Sequence, residues 1–364
     1  MKKQISIKRA AISVFILLLT NYSFGQENVG SRLSTFADHW EFKGIAVEEE
    51  GYTVWGASPI VSEDGKVHLF VARWPGNTVE PGWRTHSEIA HYVGDGPEGP
   101  FVFSDVAVKG EIEETQPMHS IDNILETKAY APHNPTIHKV DSLYALFYIA
   151  NDGIRGHPGN QYICLAVSKS LEGPWEKAGD NGKIFSTPEN ADYWNYKASN
   201  GVNNPALLKH PDGGFFLYFK SEKAKMGLAI ADNLLGPYVQ LPFPVTKNDQ
   251  NIEDGYAFMY NGKFALLTTD NHGIIEAGGG ILWTSEDGIQ FDNYEKGFHR
   301  INDYTKVDFS KVRVHYGPKD RDYAKFERPQ LLLVDGAPEY LYVPSGSNIY
   351  GGGSTVTYVL KFVR

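Results

Sequence analysis

A five-copy repeat constrains the fold of this chain more than any other feature. Each copy opens with a polar pair, usually followed by proline, then an apolar strand, a tight turn and an aromatic-rich strand. The copies begin at Ala57-Ser58-Pro59-Ile60, His133-Asn134-Pro135-Thr136, Asn203-Asn204-Pro205-Ala206, Glu253-Asp254-Gly255-Tyr256 and Glu327-Arg328-Pro329-Gln330. A further strand follows in each, then a turn that often ends in Gly-Pro-aromatic, as at Gly99-Pro100-Phe101, Gly173-Pro174-Trp175 and Gly236-Pro237-Tyr238. Asp64-Gly65, Asp212-Gly213 and Asn261-Gly262 separate paired runs and are hairpin signals. Long-period self-similarity of this kind marks a repeat architecture. Units of four strands, five times over, predict an all-β, five-bladed β-propeller. A β-sandwich accounts for the strands but not for five copies in one fixed order. The excess of Tyr (21) and Phe (20) over Met (4) also suits strands better than helical bundles.

The N-terminus reads as a signal peptide over residues 1–25. Lys2, Lys3, Lys8 and Arg9 give the charged region, Ala10 to Leu19 the apolar stretch, and Ser23 and Gly25 the small-residue cleavage pattern. The apolar stretch is short for a bilayer span, and no cysteine lies directly after it, so no lipid anchor is expected. The expectation is a secreted or periplasmic protein whose residues 26–364 form one propeller domain, with Asn28 to Gly51 packed on it as an N-terminal segment. Cys164 is the only cysteine and lies in an apolar run, which predicts a buried residue rather than a nucleophile. The net charge of −10, with no dense basic block after the first ten residues, argues against a nucleic-acid partner.

Strand direction sorts the loops. With strands A to D running from axis to rim, the polar pairs start strands A, and the B–C loops and D–A connections share their face. Those segments are long and rich in Gly, His and charge, whereas the A–B and C–D turns are short. Elaborate loops on one face of a rigid scaffold are where sites usually sit. The pocket floor expected from the strand starts is Ser58, His133, Asn134, Asn203, Asn204, Glu253, Asp254, Glu327 and Arg328. Several ionisable groups converging on one confined place mark a candidate site. Two carboxylates can divide acid and base roles there, as in glycoside hydrolysis, and Arg328 is suited to hold a carboxylate or sulfate. The loops add His86, Glu88, Asp152, Arg155, His157, Asp270, His272 and Glu276, and His315 precedes blade five. Trp55, Trp74, Trp83, Trp194 and Tyr256 are candidate stacking surfaces. No zinc-type histidine spacing, P-loop, G-x-S-x-G or G-x-G-x-x-G context occurs.

The phrases Ala131-Pro132-His133-Asn134-Pro135-Thr136-Ile137-His138, Phe326-Glu327-Arg328-Pro329-Gln330-Leu331-Leu332 and His86-Ser87-Glu88-Ile89 carry a resemblance. The chain resembles the arabinanase-like five-bladed propellers of glycoside hydrolase family 43, related to families 32, 62 and 117, over essentially the whole expected mature length. The resemblance implies a base Asp at the start of blade one, a modulating Asp at blade three and an acid Glu at blade four. These positions hold Ser58, Asn204 and Glu253, so only the acid is retained. The family 117 propellers recruit a histidine as acid, which makes His315 with Asp254 and Glu327 a comparable set. The expected function is an exo-acting glycoside hydrolase on a plant or algal poly- or oligosaccharide, and the alternative is a non-catalytic glycan-binding propeller. A lyase or phosphorylase is a third class; a phosphorylase would need a cationic site. The catalytic candidates are Glu253, Asp254, Glu327, His315 and Glu88. The substrate-binding candidates are Ser58, Trp74, His86, His133, Asn134, Asn204, His272 and Arg328. No cofactor is expected beyond a structural Ca2+ in the central channel.

Overall fold

A computed structural model describes residues 35–76, 79, 82–112, 129–151, 161–317 and 322–364. The expected signal peptide, and Asp152, Arg155 and His157, lie outside the described residues.

The described chain is mostly strand. Blade one is the sheet β2 (Tyr52–Val61), β3 (Val67–Pro75), β4 (Glu88–Gly94) and β5 (Val102–Val108), in that order from the axis; the 8-residue β1 (Trp40–Val47) precedes it. Blade two is β7 (Ala129–Val140), β8 (Leu143–Asn151), β9 (Gln161–Ser168) and β10 (Glu176–Lys177), flanked by β6 (Glu111–Ile112) and β11 (Lys183–Phe185). Blade three is β12 (Asn203–Lys209), β13 (Phe215–Lys220), β14 (Met226–Ala231) and β15 (Val239–Gln240). Blade four is β16 (Ile252–Tyr260), β17 (Lys263–Asp270), β18 (Gly280–Ser285) and β19 (Asn293–Phe298). A two-stranded ribbon of β20 (Arg313–Val314) and β23 (Ser347–Asn348) flanks blade five, whose own strands are β21 (Gln330–Val334), β22 (Ala337–Ser345) and β24 (Val356–Phe362).

Blade five takes its fourth strand from the other end of the sequence. Strand β1 pairs antiparallel with β24, Trp40 opposite Phe362 and Val47 opposite Thr357. The Asn28–Gly51 segment therefore does more than pack on the propeller: part of it completes the last sheet. Trp40 Nε1 also donates to Gly297 O of blade four at 3.0 Å.

Five apolar clusters, one between each pair of neighbouring blades, explain why the middle strands are apolar at nearly every position. In β8, Tyr144, Leu146, Tyr148 and Ala150 enter the cluster shared with blade one, while Ala145, Phe147 and Ile149 enter the cluster shared with blade three. The period-2 alternation of a strand thus feeds two cores rather than one core and solvent. Tyr218 and Leu228 meet Leu266 and Trp283 between blades three and four. Phe258 and Leu267 meet Leu341 and Tyr358 between four and five. Tyr342 and Val359 meet Val54 and Leu69 between five and one, which closes the ring. Each buried side chain of this size contributes about 1.5–3 kcal/mol. Cys164 is fully buried in the cluster between blades one and two, and burial pushes its thiol up to about 12, which leaves it an inert apolar residue.

The turns on the far face are tight. Asn261 and Gly262, with φ of 51° and 77°, form the doubly positive hairpin that joins β16 to β17. A second such pair, Asp335-Gly336, joins β21 to β22 and was not among the expected hairpin signals.

Candidate functional site

The five strand-A starts share one backbone device. Gly56, Asn134, Asn204, Asp254 and Arg328 all have positive φ, between 40° and 62°. In blades one to four the pairing register slips at this point, between Trp55 and Ala57, His133 and Thr136, Asn203 and Ala206, and Glu253 and Tyr256. An unbroken strand points neighbouring side chains to opposite faces. The bulge re-aims them, so His133 with Asn134, Asn203 with Asn204, and Glu253 with Asp254 all line one pocket. Four of the five positive-φ residues are not glycine, and such conformations cluster at functional sites.

This register corrects the expectation for blade one. Trp55-Gly56, not Ala57-Ser58, occupies the place of the polar pair. Ser58 lies two residues further along β2, fully buried, where its Oγ accepts the Ile137 N–H at 3.0 Å and ties blade one to blade two. The blade-one position of the resemblance therefore holds glycine, with no side chain at all.

The pocket measures about 410 Å3, within the range usual for small-ligand sites. Its walls come from strand-A starts, strand-B ends, B–C loops and D–A connections, the face that strand direction selects. Blade one gives Trp55, and the short helix α1 (Gly82–Thr85) in its B–C loop gives Trp83 and Arg84. Blades two and three give His133, Asn134, Gln161, Asn203, Asn204 and Lys220; blade four gives Glu253, Asp254, Asn271 and His272; Tyr316, Lys325 and Glu327 complete the ring.

Charge is unevenly placed. All three lining carboxylates belong to blades four and five. Lys220, the last residue of β13, contacts Glu253, and Lys325 contacts Glu327. Burial works to raise the Glu253 carboxyl, but Lys220 dominates and holds it below its ordinary value. Asp254 shifts the other way. Burial, then the neighbouring Glu253, with a smaller push from Glu327, raise it to about 6 against the opposing pull of Arg328 and Lys220. Two adjacent carboxyls with environments that drive them apart are the signature of divided acid and base roles. His133 is fully enclosed, and burial followed by the charges of Arg328 and Arg84 pushes it well below its ordinary value, so it is neutral. Its Nδ1 shares a hydrogen bond with Ser87 Oγ at 3.2 Å, and its ring lies 5.2 Å from that of Trp83. Asn134 Nδ2 donates to Asn204 Oδ1 at 2.7 Å, and Asn203 Nδ2 to Gln161 Oε1 at 2.8 Å.

Arg328 does not face the pocket. It is fully buried beneath the floor, where Nη2 donates to Asn134 O at 2.7 Å and Pro135 O at 3.0 Å, and Nη1 lies 3.6 Å from Asp254 Oδ1. Carbonyl and carboxylate oxygens of this kind are what calcium would use. Here the guanidinium already engages them, so the floor does not fit a channel Ca2+. A second group of ligand-type side chains, Glu276, His299 and Asp303, lies away from the pocket among Lys296 and Arg300, whose charges disfavour a metal.

The remaining candidates sit elsewhere. Trp74 is fully buried behind His133, and Trp83 takes the pocket-lining place instead. Glu88 pairs with Arg73 at 2.9 Å, and Arg73 in turn with Glu49 at 2.7 Å, outside the pocket lining. His315 Nε2 meets Gly352 O at 3.1 Å, and it is the adjacent Tyr316 that lines the pocket. His86 Nδ1 meets Thr85 Oγ1 at 2.7 Å, two residues past Arg84. Asp270 accepts the backbone N–H groups of Gly273, Ile274, Ile275 and Glu276 and so shapes the loop that carries Asn271 and His272. Lys220 and Lys325 were not singled out in the sequence, although a residue ending strand B or preceding a polar pair belongs to the working face.

No family model matches the chain, and no curated protein matches it. Solved structures do. A family 117 glycoside hydrolase, Zg3597 from the marine bacterium Zobellia galactanivorans, superposes with a TM-score of 0.60 at 17% identity, covering 88% of this chain and 90% of that one. CoXyl43, a GH43 β-xylosidase/α-arabinofuranosidase from a compost microbial metagenome, gives 0.51 at 13% identity, over 89% and 94%. An exo-1,5-α-L-arabinanase from a bovine ruminal metagenomic library gives 0.51 at 13% identity, over 85% and 92%. At these identities the likeness establishes the fold, and with the five sheets it shows that the chain is a five-bladed β-propeller.

Proposed function

We propose that this protein is a glycoside hydrolase, with Asp254 as general acid and the lysine-paired Glu253 and Glu327 as its partners. The observation that carries this reading is the juxtaposition in one pocket of a carboxyl raised to about 6 and a neighbour held low by Lys220. Asp254, protonated below that pH, gives its proton to the glycosidic oxygen as the bond to the anomeric carbon breaks. An ionised partner either takes a proton from the attacking water or attacks the anomeric carbon itself. Neutral His133 and the Asn134–Asn204 pair suit a hydroxyl-rich substrate, and Trp55, Trp83 and Tyr316 offer aromatic surfaces at the wall. The structural neighbours that are glycoside hydrolases by name support the same class.

The finer reading is an exo-acting enzyme that removes a terminal sugar from a plant or algal poly- or oligosaccharide, which the modest pocket volume supports. Secretion behind a leader at residues 1–25, followed by one propeller domain, supports a polymer found outside the cell. Substitution tests the assignment: Glu253→Gln and Glu327→Gln each abolish turnover while circular dichroism and melting stay native-like. Wild-type rates in both would overturn it. A glycan-binding role is the second reading, favoured by Gly56 and Asn204 at places where the resemblance implies carboxylates. Calorimetric binding of an oligosaccharide with no product released would establish it.

A further inference from the structure

Arg328 is the largest charged side chain fully buried in the described molecule, and it touches four blades. It enters from blade five, its N–H donates to Thr269 Oγ1 of blade four at 3.0 Å, and its guanidinium lies 3.6 Å from Asp254 of the same blade. It passes blade one at Gly56 and ends on the Asn134 and Pro135 carbonyls of blade two. A residue within reach of four blades lies at the axis. Gly56 is the only one of the five equivalent positive-φ positions with no side chain, and the structure shows why. A Cβ there would come within 3.0 Å of Arg328 Cδ and 3.2 Å of Nε, in a backbone conformation that L side chains rarely adopt.

We propose that Arg328 is the positioning residue of this site: its guanidinium acts as a resident cation at the axis, fixing the Asp254 carboxyl against the bulged turn at Asn134-Pro135, and Gly56 is the gap through which it passes. Two consequences follow. The channel needs no metal, because a cation that cannot dissociate already neutralises its oxygens. The Asp254 carboxyl is also less basic than its burial and its acidic neighbours alone would make it. The groups facing Asp254 are Glu253 on its own strand, Arg328 and Glu327 from blade five, and Lys220 from blade three, with Thr269 Oγ1 at 3.5 Å on β17. Of these, Arg328 is the only cation fully enclosed, so its influence is the least screened by solvent.

The positioning role stands apart from the proposed activity, and its test does not use turnover. Protein labelled with 13C at the aspartate carboxyls, assigned through Asp254→Asn, reports the Asp254 titration directly. The wild-type midpoint is expected near 6. Arg328→Met should raise it by about one unit or more; Gly56→Ala, which keeps the charge but displaces it, should raise it by less; Arg328→Lys should lie closest to wild type. An unchanged midpoint in folded Arg328→Met, or in Gly56→Ala should the first not fold, overturns the proposal. A shifted midpoint in a protein that hydrolyses no glycoside upholds the positioning role and removes only the proposed activity. In wild type, EDTA and excess calcium should leave the melting temperature unchanged. A calcium-dependent rise of several degrees that Asp254→Asn abolishes would place a metal where Arg328 is assigned and overturn the proposal.

Discussion

Blades one to three and blades four and five meet the pocket with the same backbone and different chemistry. The positive-φ residue at the strand-A start recurs in all five. In the first three blades the preceding residue is Trp55, His133 or Asn203, and no lining carboxylate comes from them. In the last two it is Glu253 or Glu327, each met by a lysine. A repeated scaffold thus supplies position five times, while the lining carboxylates are concentrated on blades four and five. Burying carboxyls and clustering like charges are both costly, and the cost is visible in Asp254, raised first by burial and then by Glu253. Lys220, Lys325 and Arg328 offset it, and the imbalance that remains drives Asp254 up and Glu253 down.

The largest effect that should distinguish the two regions is on turnover. Glu253→Gln is expected to lower kcat by about 100- to 10,000-fold, the usual worth of general acid–base catalysis. Asn203→Ala on the neighbouring blade three, which removes no carboxylate, should act mainly on KM. Equal kcat losses at both sites in steady-state kinetics would erase the distinction.

Next in size is the effect of Lys220→Met. Lys220 holds the Glu253 carboxyl low, so its removal should raise that carboxyl and carry the acidic limb of the pH–rate profile up by about one unit or more. A profile that stays in place would show that Glu253 does not govern that limb.

A stability effect follows from Asp254. Its carboxyl is raised from 3.8 to about 6 on folding, so the native state binds the proton more tightly than the unfolded chain. Below about pH 4 both states are protonated and nothing is lost. Between about 4 and 6 stability falls as pH rises, and above 6 the whole penalty, at most about 3 kcal/mol, is present. Asp254→Asn should therefore melt a few degrees above wild type at pH 8 and level with it at pH 4. Calorimetric melts at the two pH values check the sign. The smallest effect belongs to the far face, where Lys139 pairs with Glu63 at 3.0 Å in open solvent. Lys139→Ala should leave both the melting temperature and turnover at the wild-type value, because an exposed ion pair contributes little.

The fivefold repeat was legible in the sequence because each blade must feed two inter-blade cores, which forces the same apolar strands to recur. The closing strand was not legible: the pairing of Trp40 with Phe362 spans nearly the whole chain, and no local pattern encodes it. The blade-one register was misread for a physical reason. Ser58-Pro59 imitates Asn134-Pro135, but the pocket is organised by positive φ rather than by proline, and in blade one that position is Gly56. The strand-start carboxylates were legible by position. Lys220 and Lys325 were not, since a lysine at a strand end reads the same in sequence whether it is solvated or paired. Nor was the depth of Arg328, which depends on a glycine four repeats away in the sequence.

Product release by wild type and Asp254→Asn, assayed in parallel at pH 5 on a panel of plant and algal oligosaccharides, tests the central claim most directly. The account predicts a single sugar released from the chain end by wild type and a loss of about 100-fold or more in the variant. Equal rates in the two proteins, or tight binding by wild type with every oligosaccharide left intact, would contradict it.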